Sequence, residues 1–185
     1  MAKRDKTFTQ GENCMMKICP PLIGIATATL IALTAGASMA QNAERGSVKA
    51  TINRAHISID YGRPALRGRD MLKQIQPGQL WRIGAGAPTT LESDKELNFG
   101  GTIVPKGKHI LLARLDEPGK WTLVFSSKSV FEYEPSAKLA EIPLTLEETS
   151  DSAEQVTMQL TDKDGTGVIE IAWGKMRLSA SFKPA

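Results

Sequence analysis

From residue 55 onward apolar and polar side chains alternate along the chain with a period of two, the spacing that sends successive side chains to opposite faces of a strand. Ile57, Ile59 and Tyr61 alternate with His56, Ser58 and Asp60. Trp121, Leu123 and Phe125 repeat the pattern after a Glu117-Pro118-Gly119 turn. Ile142, Leu144 and Leu146 repeat it again, with Glu141, Pro143, Thr145 and Glu147 on the other face. Pro143 has no N–H to give to a ladder, which places its strand at a sheet edge. Toward the C-terminus Val156, Met158 and Leu160, then Ile169, Ile171 and Trp173, then Met176, Leu178, Ala180 and Phe182 predict three consecutive antiparallel strands. The breaks between them fall at Asp164-Gly165, a pair suited to tight hairpins, and at Gly174.

The centre is less regular. Leu97 and Phe99, Gly100-Gly101, Thr102 to Val104 and the Pro105-Lys106-Gly107 turn read as two short strands joined by a turn. Lys108 to Leu115 is nearly continuously apolar, as in a strand covered on both faces. Asp70 to Gln76 predicts a turn or two of helix at most. The pattern therefore predicts an all-β fold, an antiparallel β-sandwich or partly open barrel of about eight to nine strands, in one domain over residues 41–185.

Residues 1–40 carry a different signature. Lys3, Arg4, Lys6 and Lys17 precede an uncharged, small-residue apolar run from Leu22 to Ala35, and Ser38-Met39-Ala40 offers a cleavage site before the polar Gln41-Asn42. This order is that of a signal peptide, with a start at Met16 giving the more compact version. The expected destination is periplasmic or secreted. The competing expectation, an uncleaved anchor, is weakened by Gly24 and Gly36 and by a run barely reaching the roughly 20 apolar residues of a spanning helix; no membrane span is expected once the signal is removed. Cys14 and Cys19 both fall before the cleavage point, so residues 41–185 contain no cysteine and no disulfide framework.

Charge excludes one class of partner. Residues 41–82 hold 8 Lys or Arg against 3 Asp or Glu, and residues 83–185 hold 11 against 15, which leaves a net charge of +1 over the two parts. A nucleic-acid binder is expected to carry a strong basic excess. Two histidines far apart do not make a zinc set. Asp162-Lys163-Asp164-Gly165 begins like a calcium loop, but Ile171 stands where its last acidic ligand belongs. Neither metal nor cofactor is expected.

The unusual stretch is Tyr61-Gly62-Arg63-Pro64, Arg67-Gly68-Arg69 and Leu80-Trp81-Arg82-Ile83-Gly84-Ala85-Gly86-Ala87-Pro88. With the Pro105-Lys106-Gly107 turn and the Trp121 and Trp173 strands, these elements resemble the bacterial family known as domain of unknown function 2911. The resemblance implies export and β architecture and carries no activity. The chain departs from the family pattern at Gly78, at Gly86-Ala87 and at His109. Arg63, Arg69, Trp81, Arg82, Gly84 and Gly86 are the candidate ligand-binding residues: guanidinium groups fork onto carboxylate, phosphate or sulfate, indole offers a stacking face, and glycine lets backbone amides approach a ligand. The competing account has these arginines pairing with Asp60, Asp70 and loop carbonyls while Trp81 fills the core.

His56, Ser58 and Asp60 resemble a triad in residue type only. Residues two apart on a strand stand roughly 6.5 to 7 Å from one another, too far for the hydrogen bonds of nucleophile and base, and no catalytic residue is assigned. The reading is a non-enzymatic binding module for a small anionic or carbohydrate-like ligand, or for an envelope protein. The alternative is a hydrolase-like envelope enzyme with an arginine-assisted site and His56 or His109 as base.

Overall fold

A computed structural model describes residues 44–185. The expected signal segment, with its cleavage point and both cysteines, lies outside the described residues. In chain order the elements are β1 (Arg45–Ile52), β2 (Ala55–Gly62), α1 (Met71–Gln74), β3 (Leu80–Trp81), β4 (Thr90–Ser93), β5 (Leu97–Phe99), β6 (Thr102–Val104), β7 (Gly107–Glu117), β8 (Lys120–Ser126), β9 (Lys138–Lys163) and β10 (Thr166–Pro184). The strands form one antiparallel sheet in the order β1-β2-β4-β7-β8-β9-β10-β5-β6, with β3 added on β7. The fold is all-β, as the alternation predicts, and the sheet is not closed into a barrel.

The period-two pattern is what buries one face. Along β2, Ala55, Ile57, Ile59 and Tyr61 are buried while His56 and Asp60 are exposed. Leu111, Leu112 and Ala113 of β7 are buried in succession, the signature of a strand covered on both faces. Removing each such large side chain from water contributes about 1.5–3 kcal/mol.

Two corrections concern the C-terminal half. The sequence reading separates strands between Leu146 and Val156 and again at Gly174; instead β9 and β10 are the two long arms of a single hairpin. Their register runs Gly174 to Ala153 and then Met176 to Glu148, so Thr149–Ser152 oppose Lys175 alone. The polar run is thus taken up as a wide bulge, which bends a strand without reversing it. The Asp164-Gly165 turn is observed as expected. Both residues have positive φ (52° and 79°), Lys163 pairs with Thr166 across them, and the Asp162 carboxylate accepts from the Gly165 N–H at 2.8 Å. Pro143 stands in the part of β9 that pairs with β8 alone, so its edge character is local to that stretch.

The sheet curls until its β1 edge meets an interior strand. β1 lies against β9, although four strands separate them in the sheet. The segment after β2 bonds to the middle of β9: Ala65 bridges Gln155, the Leu66 N–H donates to the Glu154 carbonyl at 2.6 Å and the Val156 N–H to the Pro64 carbonyl at 3.3 Å.

After β3 the chain turns through Ile83–Pro88 against the end of β2. A Cβ placed on Gly62 would lie 1.9 Å from the Ala85 carbonyl oxygen, and one on Gly84 would lie 2.8 Å from the Gly62 carbonyl oxygen. Only two glycines let these backbones approach so closely. Between them Ile83 is fully buried at φ 47°, a conformation that β-branched residues rarely adopt. The Thr89 hydroxyl donates to the Ile83 carbonyl at 2.6 Å, and Arg45, paired with Asp60, donates to the Ala87 carbonyl at 3.1 Å. Surrounding bonds thus over-determine the strained residue.

One charged network crosses three strands. Arg114 of β7 pairs with Asp116 and, at 2.7 Å, with Glu141 of β9, while the Thr122 hydroxyl of β8 donates to Asp116 at 2.6 Å. The Arg114 hydrogen bond holds the Glu141 carboxyl below its usual range. Burial alone would raise Asp116, but its bonds from Thr122 and Arg114 outweigh that and leave it lowered too.

Two outcomes are expected. Gly62→Ala forces the Ile83–Pro88 turn off β2 and destabilises the protein by about 2 kcal/mol or more, within or above the usual range for overpacking, as measured by urea denaturation. Asp116 and Glu141 stabilise the fold fully above their unfolded values, at about pH 4, and this stabilisation is lost as pH falls through their lowered native values. The stability gap between the native protein and Arg114→Gln is therefore present at neutral pH and shrinks in acid, as read from denaturation midpoints across a pH series.

Candidate functional site

Strand alternation divides the sequence-derived candidates into two groups. β3 pairs with β7, Leu80 opposite Arg114 and Trp81 opposite Ala113. Trp81 turns into the core, where it stacks on Trp173 (centroids 5.6 Å, interplanar angle 13°) and meets Trp121 edge-on at 6.2 Å. Arg82, the next residue, turns the other way, into a surface cleft lined by Gly86, Thr89, Ile110, Leu112 and Phe131. The two side chains do not share a site.

Arg63 and Arg69 both have their donors occupied. Arg63 pairs with Glu44 at 3.0 Å and donates to the Val156 carbonyl at 3.4 Å. Arg69 donates to the Leu66 and Ala65 carbonyls at 2.9 and 2.8 Å, with its guanidinium carbon 5.6 Å from the centre of the Trp173 ring. Arg67, at φ 51°, gives its backbone N–H to the Glu154 carboxylate at 3.0 Å. Among the described residues the one carboxylate that pairs with a guanidinium of this stretch is Glu44, with Arg63; the Asp60 and Asp70 of the competing sequence account pair with Arg45 and Lys73, while its loop carbonyls do accept from Arg69. Gly84 is used for the backbone approach to Gly62 described above. Gly86, at φ 73° and with open space beside it, is exposed at the rim of the Arg82 cleft.

The Arg82 cleft encloses about 170 Å³. Its floor is apolar: Leu112 is buried and Ile110 half-buried. One wall is Phe131, 80% exposed, whose ring centre lies 5.5 Å from the Arg82 guanidinium carbon. Among the described residues Arg82 makes no ion pair and donates no hydrogen bond, unlike Arg45, Arg63, Arg69, Arg114 and Arg177. The Phe131 loop is shaped by the Lys128–Glu134 ion pair and by the Ser129 hydroxyl donating to Glu132 at 3.2 Å. Neither the period-two alternation nor the motifs single out Phe131. The available signal was a large apolar residue inside a run that is otherwise mostly polar, Ser126 to Glu134.

The histidines lie elsewhere. His56 Nδ1 stands 3.0 Å from the Thr51 hydroxyl on β1, and its backbone N–H donates to the Asp94 carboxylate at 2.8 Å. Ser58 and Asp60 follow it along β2, and Asp60 is occupied by Arg45. His109 Nε2 is 2.8 Å from the Pro105 carbonyl oxygen and packs edge-on against Phe125, which is a structural placement. Among the described residues no three His, Cys, Asp or Glu side chains cluster as metal ligands.

No curated protein and no solved structure matches the chain. The model of one family, described as a protein of unknown function (DUF2911), matches residues 43–182, nearly the whole of the sheet just described, and the chain belongs to that family.

Proposed function

We propose that the protein is an exported, non-enzymatic binding module whose ligand presents a carboxylate or similar anion on a small apolar body, held at Arg82. The observation that carries this reading is the Arg82 guanidinium, which meets no acceptor among the described residues and lies against the exposed ring of Phe131. Guanidinium binds a carboxylate through two parallel hydrogen bonds, and the apolar floor receives what the carboxylate is attached to. Size narrows the class further. A dry cavity of about 150 Å³ accommodates benzene, so a cleft of about 170 Å³ suits a ring or short alkyl group, either as a whole ligand or as the end of a larger one.

The same lining argues against turnover. Of its two side-chain hydroxyls, that of Thr89 is committed to the Ile83 carbonyl and that of Ser129 donates to the loop carboxylate of Glu132; the lining holds no histidine, lysine or cysteine to complete a nucleophile–base pair oriented by a third group. Export rests on the charged, apolar and small-residue order of residues 1–40.

Benzoate and hexanoate are expected to raise the melting temperature, because a ligand that binds only the folded state stabilises it by mass action; benzamide and hexanol are expected to do so far less. Arg82→Ala should weaken benzoate binding by roughly 10- to 100-fold, the equivalent of the ~1.5–3 kcal/mol of a charged hydrogen-bonded contact, and leave the unliganded melting temperature nearly unchanged. Calorimetric titration of both proteins measures this. Equal affinity in the two would sink the reading. For export, mass spectrometry of the product from a bacterial host should find a chain beginning at Gln41.

A further inference from the structure

All three tryptophans of the chain, Trp81, Trp121 and Trp173, lie in one cluster. Trp121 and Trp173 are almost fully buried, and their indole N–H groups meet no acceptor among the described residues. An indole N–H is a donor only. Leaving one buried without an acceptor is unfavourable, so native proteins seldom keep such groups without reason. Two in one cluster is a specific feature.

What flanks this cluster is a strap, residues 66–78, that includes α1. It is tied down at its ends, by the Leu66 and Arg67 N–H groups on Glu154 and by the Gly78 N–H on the Leu115 carbonyl at 2.7 Å. Among the described residues, every hydrogen bond made by positions 68–77 stays within positions 65–79. Among the described residues Leu66 and Ile75 are the strap's buried apolar side chains, 9% and 7% exposed. A cleft opens on either side. One, about 290 Å³, runs past Arg69, Asp70, Trp173 and Lys175; the other, about 390 Å³, runs past Lys73, Ile75, Pro118 and Trp121. Glu148 lines both.

From this we infer that the strap is a lid over a saccharide-binding groove, and that its displacement lets hydroxyl oxygens of a neutral sugar chain accept from the Trp121 and Trp173 indole N–H groups. The rim carries both signs, Arg69, Lys73 and Lys175 against Asp70 and Glu148, which favours neither a cation nor an anion. A hydroxyl both accepts from indole and donates to a carboxylate. This groove is separate from the Arg82 cleft, and its ligand class is different.

The test uses the full chain titrated with maltotriose, cellotriose or chitotriose. Because every tryptophan lies in the cluster, intrinsic fluorescence reads the groove directly. At least one trisaccharide should shift the emission and raise the melting temperature. Ile75→Ala loosens the closed strap and should tighten the apparent affinity several-fold, since less free energy is spent on opening. Trp173→Phe, which keeps a ring and removes the N–H, should weaken binding at least tenfold; Arg82→Ala should leave it unchanged. The inference is overturned if no trisaccharide acts on either the native protein or Ile75→Ala, if Ile75→Ala weakens binding, or if Trp173→Phe binds equally well. It is likewise overturned if a synthetic peptide of residues 69–78 binds and no trisaccharide does. Loss of benzoate binding in Arg82→Ala with trisaccharide binding retained separates this proposal from the carboxylate reading.

Discussion

The short junction between the chain after β2 and the middle of β9 is the constraint on which the rest of the structure depends. Two backbone hydrogen bonds define it, Leu66 on Glu154 and Val156 on Pro64, which together make the Ala65–Gln155 bridge. Side chains reinforce it, with Arg63 reaching the Val156 carbonyl and Glu44 accepting from both Arg63 and Gln155. Residues some ninety positions apart are joined here, so a large loop-closure entropy must be offset by the contacts that follow. Those contacts are the buried face of the curled sheet. Without the junction the sheet would be an open ribbon with β1 far from β9.

The junction also explains the arginine-rich stretch. Arg63 and Arg69 have their donors taken by Glu44 and by the Val156, Leu66 and Ala65 carbonyls, so their chemistry holds the backbone of an irregular segment together. Arg82 lies beyond a strand that pairs with β7 and turns away from this network. Its isolation from acceptors is a consequence of alternation: Trp81 takes the inward position, and the next residue must face out.

Clefts of two characters result from one architecture. The Arg82–Phe131 cleft is small, apolar and carries a single positive charge, whereas the two clefts beside residues 66–78 are larger, each lined by one tryptophan and mixed in sign. Both are built from loops laid over a rigid sheet, which is where binding residues are commonly carried. The close backbone approach between Gly62 and the Gly84-Ala85 turn sets where one of those loops lies.

Local physics was legible in the residues themselves. The strands of β2, β7 and β8, the hairpin at Asp164-Gly165 and the short helix near Asp70 to Gln76 follow from period, turn chemistry and propensity, each contained within a few neighbouring positions. The family resemblance was legible for a related reason: its Tyr61, Trp81 and Gly84 elements are short local strings. The continuity of β9 and β10 was not, because a polar run such as Thr149–Ser152 reads as a loop until a partner strand absorbs it as a bulge. Nor did residue types distinguish the tied arginines, Arg63 and Arg69, from Arg82, or mark Phe131 as a cleft wall. Those roles depend on which distant carbonyls and rings arrive beside each side chain, and only the curl of the sheet brings them there.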